Sequence, residues 1–125
     1  MISILDQEFS ALNQYIEKEN PSQIFILADE NTHEKCIPLL LANLETEIPF
    51  EIIEIEAGED AKIINTATQL WEILSEFKAD RKSLLLNLGG GVITDMGGFV
   101  ASTYKRGIKF LNIPTTLLAM CDASI

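Results

Sequence analysis

Cations are scarce in this chain. Its 125 residues carry 9 Lys and Arg against 19 Asp and Glu, a formal charge of −10. Such a balance repels nucleic acid and anionic membrane, so neither is expected as a partner. Histidine occurs once and cysteine twice. His33 has no partner at ligand spacing and reads as a surface residue near a helix start. Cys36 and Cys121 are too few for a disulfide framework and lack metal-ligand spacing, which leaves buried free thiols. No uncharged apolar run approaches the roughly 20 residues of a membrane span. The start, Met1-Ile2-Ser3-Ile4-Leu5-Asp6, lacks the basic head and long apolar core of a signal peptide, so a cytoplasmic location is the expectation. Neither G-x-G-x-x-G nor G-x-x-x-x-G-K-[ST] occurs, and no internal repeat or low-complexity linker is evident.

What the chain does contain is concentrated around Leu84-Leu85-Leu86-Asn87-Leu88-Gly89-Gly90-Gly91-Val92-Ile93-Thr94-Asp95. Leu84 to Leu88 has the nearly unbroken apolar pattern of a strand buried on both faces of a parallel sheet. The three glycines that follow permit positive φ and leave no Cβ to hold a ligand away. Residues 92 to about 104 have helical spacing, so free amides and the positive end of a helix dipole face the same point. An anion suits that point, and a phosphate or dinucleotide cradle is the reading preferred. A glycine-rich turn needed only for packing is the plainer alternative. Gly97 and Gly98, one turn further on, let the helix lie close on the sheet or a flat ligand lie close on the helix. Charge supports the anion site, since residues 1–80 hold 4 Lys/Arg and 17 Asp/Glu whereas residues 81–125 hold 5 and 2.

Around this centre the chain alternates helix and strand. Phe9, Leu12 and Ile16 predict an amphipathic helix over residues 6–19, ended by Asn20-Pro21-Ser22. Residues 23–28 form a second buried-strand run, stopping at Asp29-Glu30-Asn31-Thr32. An acid just past a strand's carboxyl end commonly accepts hydrogen bonds from ribose hydroxyls. Asn31 or Thr32 is the candidate cap of the next helix, and Pro38 implies that this helix is kinked or starts near it. Residues 50–55 form a third strand. A long helix then carries the stripe Ile63, Ala67, Leu70, Leu74 and Phe77 down to about Lys78. Glu59 and Asp60 suit its amino end; Lys62 does not, unless it serves a ligand or pairs with Glu59. Gly107 is a plausible helix stop after Tyr104-Lys105-Arg106, residues 110–113 form a last strand, and Thr115-Thr116 stand at its carboxyl edge. The pattern implies a doubly wound, Rossmann-like α/β domain with a parallel sheet, and every candidate residue at one edge of it.

Three runs carry a family likeness: Leu88 to Asp95; Gly98-Phe99-Val100-Ala101-Ser102-Thr103-Tyr104-Lys105-Arg106-Gly107; and Pro114-Thr115-Thr116-Leu117-Leu118-Ala119-Met120-Cys121-Asp122-Ala123-Ser124-Ile125. They closely resemble the 3-dehydroquinate synthase family. The resemblance implies an NAD-dependent cyclase of the shikimate pathway, which converts the phosphorylated sugar acid DAHP to 3-dehydroquinate with loss of phosphate. It implies that Asp29, Asn31, Glu59 and Lys62 contact the adenosine side of NAD, and that Gly90, Gly91, Val92 and Asp95 form the pyrophosphate turn and its helix. Thr115 and Thr116 lie nearer the nicotinamide. Arg106 resembles the arginine that reaches substrate phosphate from a neighbouring subunit of a homodimer, and Asp122 a substrate and cofactor contact.

The family continues past the equivalent of Ser124-Ile125 with a glycine pair, a lysine, the ligands of a zinc or cobalt ion and the proton-transfer residues. Residues 1–125 therefore resemble the N-terminal NAD-binding domain of a longer enzyme, with its catalytic residues and metal in a C-terminal helical domain, and alone they are expected to be inactive. Thr94 and Cys121 depart from the family's usual glycine and aliphatic residue. The alternatives are another sugar-phosphate cyclase, a metal-dependent polyol dehydrogenase of similar fold, or a non-catalytic nucleotide-binding domain.

Overall fold

A leucine-rich strand that must hide both faces needs a helix layer on each side, and the chain supplies one. The computed structural model describes residues 4–56 and 63–113. In chain order these form α1 (Ile4–Glu19), β1 (Ile24–Asp29), α2 (Glu30–Asn43), β2 (Phe50–Ile55), α3 (Ile63–Glu76), β3 (Leu84–Leu88), α4 (Gly91–Thr103), a 3₁₀ turn (Tyr104–Arg106) and β4 (Lys109–Ile113). The strands make one parallel sheet in the order β2-β1-β3-β4. This is the doubly wound, Rossmann-like arrangement anticipated from the alternation.

Central β1 and β3 are buried along nearly their whole length, whereas β2 and β4 lie at the edges and place Glu51, Glu54 and Lys109 there. Charges on an edge strand discourage further pairing. Ile24, Ile26, Ala28, Leu84, Leu86 and Leu88 pack beneath Phe9 and Ile16 of α1 and Ile37 and Leu40 of α2. On the opposite face, Phe25, Leu27, Ile53 and Leu85 pack against Ala67, Leu70 and Leu74 of α3 and Ile93, Met96 and Val100 of α4. The chain steps one way from β1 to β2 through α2, then back across to β3 and on to β4 through α3 and α4. Steps in opposite directions with helices on opposite faces keep one crossover hand.

Several local expectations change. The helix containing Pro38 runs unbroken from Glu30, because Pro38 and Glu34 are both on the solvent side, where water can take the carbonyl that the ring leaves unbonded. Phe77 lies past the end of α3 and is 41% exposed, so the buried stripe closes at Leu74. The helix after the glycine turn ends at Thr103 and tightens into the 3₁₀ turn, in which Lys105 (φ 45°) and Arg106 (φ 68°) are left-handed before Gly107 at φ 107°.

The amino edge of the sheet is held by one aspartate. Asp80 Oδ1 accepts from Ser22 Oγ at 2.6 Å and from the Lys82 amide at 2.9 Å, joining the chain before β1 to the chain before β3. The Ser22 hydroxyl, with the Lys82 amide and Ser83, holds its carboxyl below the ordinary aspartate range against a smaller desolvation effect. Tyr104 donates to the Ala79 carbonyl at 3.0 Å, and burial pushes its phenol up.

Two outcomes follow. Leu86→Ala, at a fully buried position in the sheet centre, should cost about 2–5 kcal/mol in urea denaturation. Asp80 has a depressed folded-state pKa, so its contribution is present above the unfolded value of about 3.9 and is lost as pH falls through the folded one. Asp80→Asn should therefore flatten the acid limb of a stability profile, and an unchanged limb would show that these bonds do not contribute.

Candidate functional site

Strand order reverses between β1 and β3, since β1 leads outward to β2 and β3 leads outward to β4. In open α/β sheets the crevice beyond the carboxyl ends at such a point is where ligands bind. β1 and β3 pair as far as Leu27 opposite Asn87, and two residues further along the chain from each stand Asp29, which ends β1, and Gly89, just past β3, at the lip of that crevice.

The two helices that start here have opposite terminal chemistry. Asp29 itself caps α2: its Oδ1 accepts from the Thr32 amide at 2.8 Å, while Thr32 Oγ1 accepts from the Asp29 amide at 2.9 Å. The cap is thus Asp29 and not Asn31 or Thr32; Thr32 takes the reciprocal role, and Asn31 is exposed. With Glu30 in its first turn, this end is satisfied in both hydrogen bonding and charge. α4 is left open. Its N-cap is Gly90, no side chain caps it, and no acidic residue occupies its first turn. The first bond back to the cap is Thr94 N–H to the Gly90 carbonyl at 3.0 Å. The amides of Gly90, Gly91, Val92 and Ile93 precede any intrahelical partner and point outward with the dipole.

Of the two uses expected of the glycines, positive φ is not found, whereas open space where a Cβ would stand is found at Gly90 and Gly91. None of Gly89, Gly90 and Gly91 takes positive φ; among the described glycines only Gly107 does. Gly89 is buried, and a Cβ there would lie 2.8 Å from the Ile93 side chain, so it is a packing glycine. Gly90 and Gly91 are exposed, and a Cβ on either would meet nothing within 4 Å. Nothing in the fold requires those two to lack a side chain. Open space in front of free amides is the geometry an anion needs. Gly97 is a packing position, where a Cβ would strike the Asn87 side chain, whereas one at Gly98 would make only ordinary contact with the Phe110 ring at 3.5 Å.

Val92 is 42% exposed beside this open end, and Asp95 is exposed one turn along α4. Asp29, Asn31, Gly90, Gly91, Val92 and Asp95 therefore share the carboxyl edge. Arg106 does not. It follows α4, a helix of 13 residues, and precedes β4, which places it at the amino edge about 20 Å away. The expectation of a single edge fails for Arg106 because a helix that starts at one edge must end at the other. Glu59, Lys62, Thr115, Thr116, Asp122 and Cys121 lie outside the described residues; Cys36 is buried, as expected. His33 is exposed and shares a hydrogen bond with Glu54 at 2.6 Å.

Among the described residues no group of three or more His, Cys, Asp or Glu could hold a metal ion, and no helix is long and apolar enough to cross a membrane. Among the described residues, hollows of about 450 and 360 Å³ lie along α1 and the segment before β2, lined in part by Glu17 and Glu45. That acidity is unsuited to an anion. The residue that the sequence reading misses is Asn87, fully buried, whose Nδ2 donates to Asn112 Oδ1 at 3.0 Å and whose Oδ1 has no hydrogen-bond partner among the described residues. One asparagine interrupting each of two apolar strands was the available clue.

Removing the Asp29 side chain should cost about 1 kcal/mol of stability through loss of the α2 cap. Asp29→Asn, which keeps an oxygen for the Thr32 amide, should recover most of it, and thermal unfolding of both variants checks this.

Comparison with known proteins shows the family and the fold. The N-terminal domain pattern of 3-dehydroquinate synthase matches residues 52–125. The chain is 46% identical to the 3-dehydroquinate synthase of Parabacteroides distasonis over 93% of its own length and 33% of that protein's. It is 43% identical to that of Pyrococcus abyssi, over 100% of this chain and 37% of the relative. The chain thus spans about a third of the length of these curated relatives. Among solved structures, 2-epi-5-epi-valiolone synthase from Streptomyces hygroscopicus subsp. jinggangensis 5008, with NAD+ and Zn2+ bound, superposes with a TM-score of 0.68 at 33% identity, covering 86% of this chain and 31% of that one. A 2-deoxy-scyllo-inosose synthase gives 0.77 at 23% identity over 86% of this chain and 31% of its own, a likeness of fold.

Proposed function

The chain belongs to the 3-dehydroquinate synthase family, and from that premise we propose that it is the N-terminal, NAD-holding part of an enzyme that cyclises DAHP to 3-dehydroquinate with loss of phosphate. The observation that carries this reading is the uncapped amino end of α4, with unfilled space before Gly90 and Gly91. The fit to NAD rests on that space and on the chemistry of the donors, not on resemblance alone.

In this reading the amides of Gly90, Gly91 and Val92 receive the pyrophosphate, which has no competing carboxylate in the helix's first turn. Asp29 uses Oδ1 for the cap and its other carboxylate oxygen for a ribose hydroxyl, so one residue both fixes the start of α2 and orients the nucleoside. Asn31 stands beside it, with Glu59 and Lys62 on the adenosine side. Asp95, one turn into α4, faces the cofactor from the helix surface; Thr115 and Thr116 approach the nicotinamide, and Asp122 the substrate. Bound NAD supplies a hydride acceptor that is regenerated within each turnover. Arg106, at the far edge, serves the substrate phosphate of a neighbouring subunit, because no movement within a helix of this length brings it to its own crevice; its planar fork of donors suits that phosphate. The divalent metal has no ligand set among the described residues.

Identity of 41–46% to named 3-dehydroquinate synthases, against 33% to the valiolone synthase, favours DAHP over the substrates of other sugar-phosphate cyclases. Phosphate release from DAHP by the intact protein tests the reaction, and its absence would remove it. Calorimetry tests the site. Gly91→Ala should leave the melting temperature unchanged or slightly raised, since a Cβ there meets nothing, yet should weaken NAD binding about tenfold or more by standing in the phosphate's place. Equal affinity in the variant would put the nucleotide elsewhere.

A further inference from the structure

We propose that Asn87 is a positioning residue, a buried amide that sets how the open end of α4 stands relative to the carboxyl ends of β3 and β4. The inference rests on the reading of that end as the nucleotide site.

Three elements converge on this side chain. Asn87 lies on β3 opposite Asn112 of β4 in the strand register, and its Nδ2 donates to Asn112 Oδ1 at 3.0 Å. Its other side rests on α4. A Cβ built on Gly97 would lie 1.8 Å from Asn87 Oδ1, 2.3 Å from Cγ and 2.6 Å from Nδ2, so the amide lies across the face of Gly97. With a C–C bond of about 1.5 Å, the oxygen stands within about 3.3 Å of the Gly97 Cα, close enough for a Cα–H···O contact. One planar group thus ties β3 to β4 laterally and gauges the distance of α4 from both.

Its place along the chain gives the tie a consequence. Asn87 is two residues before Gly89, where the glycine turn begins, and Asn112 is three and four residues before Thr115 and Thr116. The amide therefore joins the strands that lead into both proposed cofactor-contacting segments. Thermodynamics argues that it is not there for stability. A buried oxygen with no hydrogen-bond partner among the described residues opposes folding, and a fifth leucine in a strand that already reads Leu84-Leu85-Leu86-Asn87-Leu88 would bury without that cost. Departures of this kind from locally consistent chemistry concentrate where function constrains position.

The test separates packing from positioning. Asn87→Ala vacates the three atoms that Gly97→Ala would strike, so the double variant refills the space with a methyl group while removing the amide. It should melt within about 5 °C of the native protein, and Gly97→Ala alone should melt well below both. By calorimetry the double variant should bind NAD about tenfold more weakly, the penalty of a misplaced but intact site. NAD affinity within twofold of native would overturn the inference and leave Asn87 a packing residue. Should the double variant not fold, Asn112→Ala, at an exposed edge-strand position, gives the same reading: severalfold weaker NAD binding supports the tie, and unchanged binding overturns it. A native protein that takes up no NAD at all would overturn the site reading itself, and the inference with it.

Discussion

The approach of α4 to β3 at Gly97 is the constraint on which the rest of the site depends. Helix and strand are separated there by the Asn87 amide, which fills the room that a side chain on Gly97 would need. Because α4 follows β3 after only Gly89 and Gly90, its distance from the sheet decides where its first amides stand. Ile93, Met96 and Val100 then pin it from below against the core that Leu85 and Phe25 share with α3. Local glycine chemistry and global packing act on the same rigid body. The amino end is accordingly held by burial along the helix, without a side-chain cap of its own.

That absence of a cap is informative only beside α2. Both helices begin at the same crevice from strands buried on both faces, and one is closed by a reciprocal pair of hydrogen bonds while the other has none. An uncapped helix start gives up about 1 kcal/mol that a serine or aspartate would supply. A fold that caps the first helix fully and leaves the second open has room for a ligand to complete the second. The open space before Gly90 and Gly91 leads to the same place by an independent route, since neither position needs glycine for its backbone angles or its packing.

Much of this was legible from periodicity. Unbroken apolar runs identified β1 and β3 because only strands covered on both sides tolerate them, and the stripe Ala67, Leu70, Leu74 marked the face of α3. Less legible was anything set by a partner distant in sequence. The motif located the glycine turn, but the positive φ expected there is not taken and the reason for Gly89 is Ile93; that Gly97 lets α4 lie close on the sheet is legible, though not that its contact is a strand residue ten positions back. Asp29 was marked as an acid at a strand end, yet its hold on the Thr32 amide depends on backbone angles that a residue string does not carry. Asn87 is not legible in the sequence, because a single polar residue in a leucine run reads as tolerance until its register partner is known to be Asn112.

Arg106 shows how topology corrects a motif. A βαβ unit carries the chain from one edge of the sheet to the other, so a site motif that spans a whole helix is divided between two edges by construction. Lys105 and Arg106 also hold left-handed backbone angles that cost non-glycine residues about 1–2 kcal/mol each, immediately before a glycine that takes positive φ without that penalty. Turning into β4 explains why a left-handed stretch is needed there. It does not explain why two cations, not glycine or asparagine, occupy it. A cation kept at backbone cost on the edge remote from its own crevice is what a site completed by a second subunit would require, and this supports assigning Arg106 to a neighbouring subunit's substrate and not to its own.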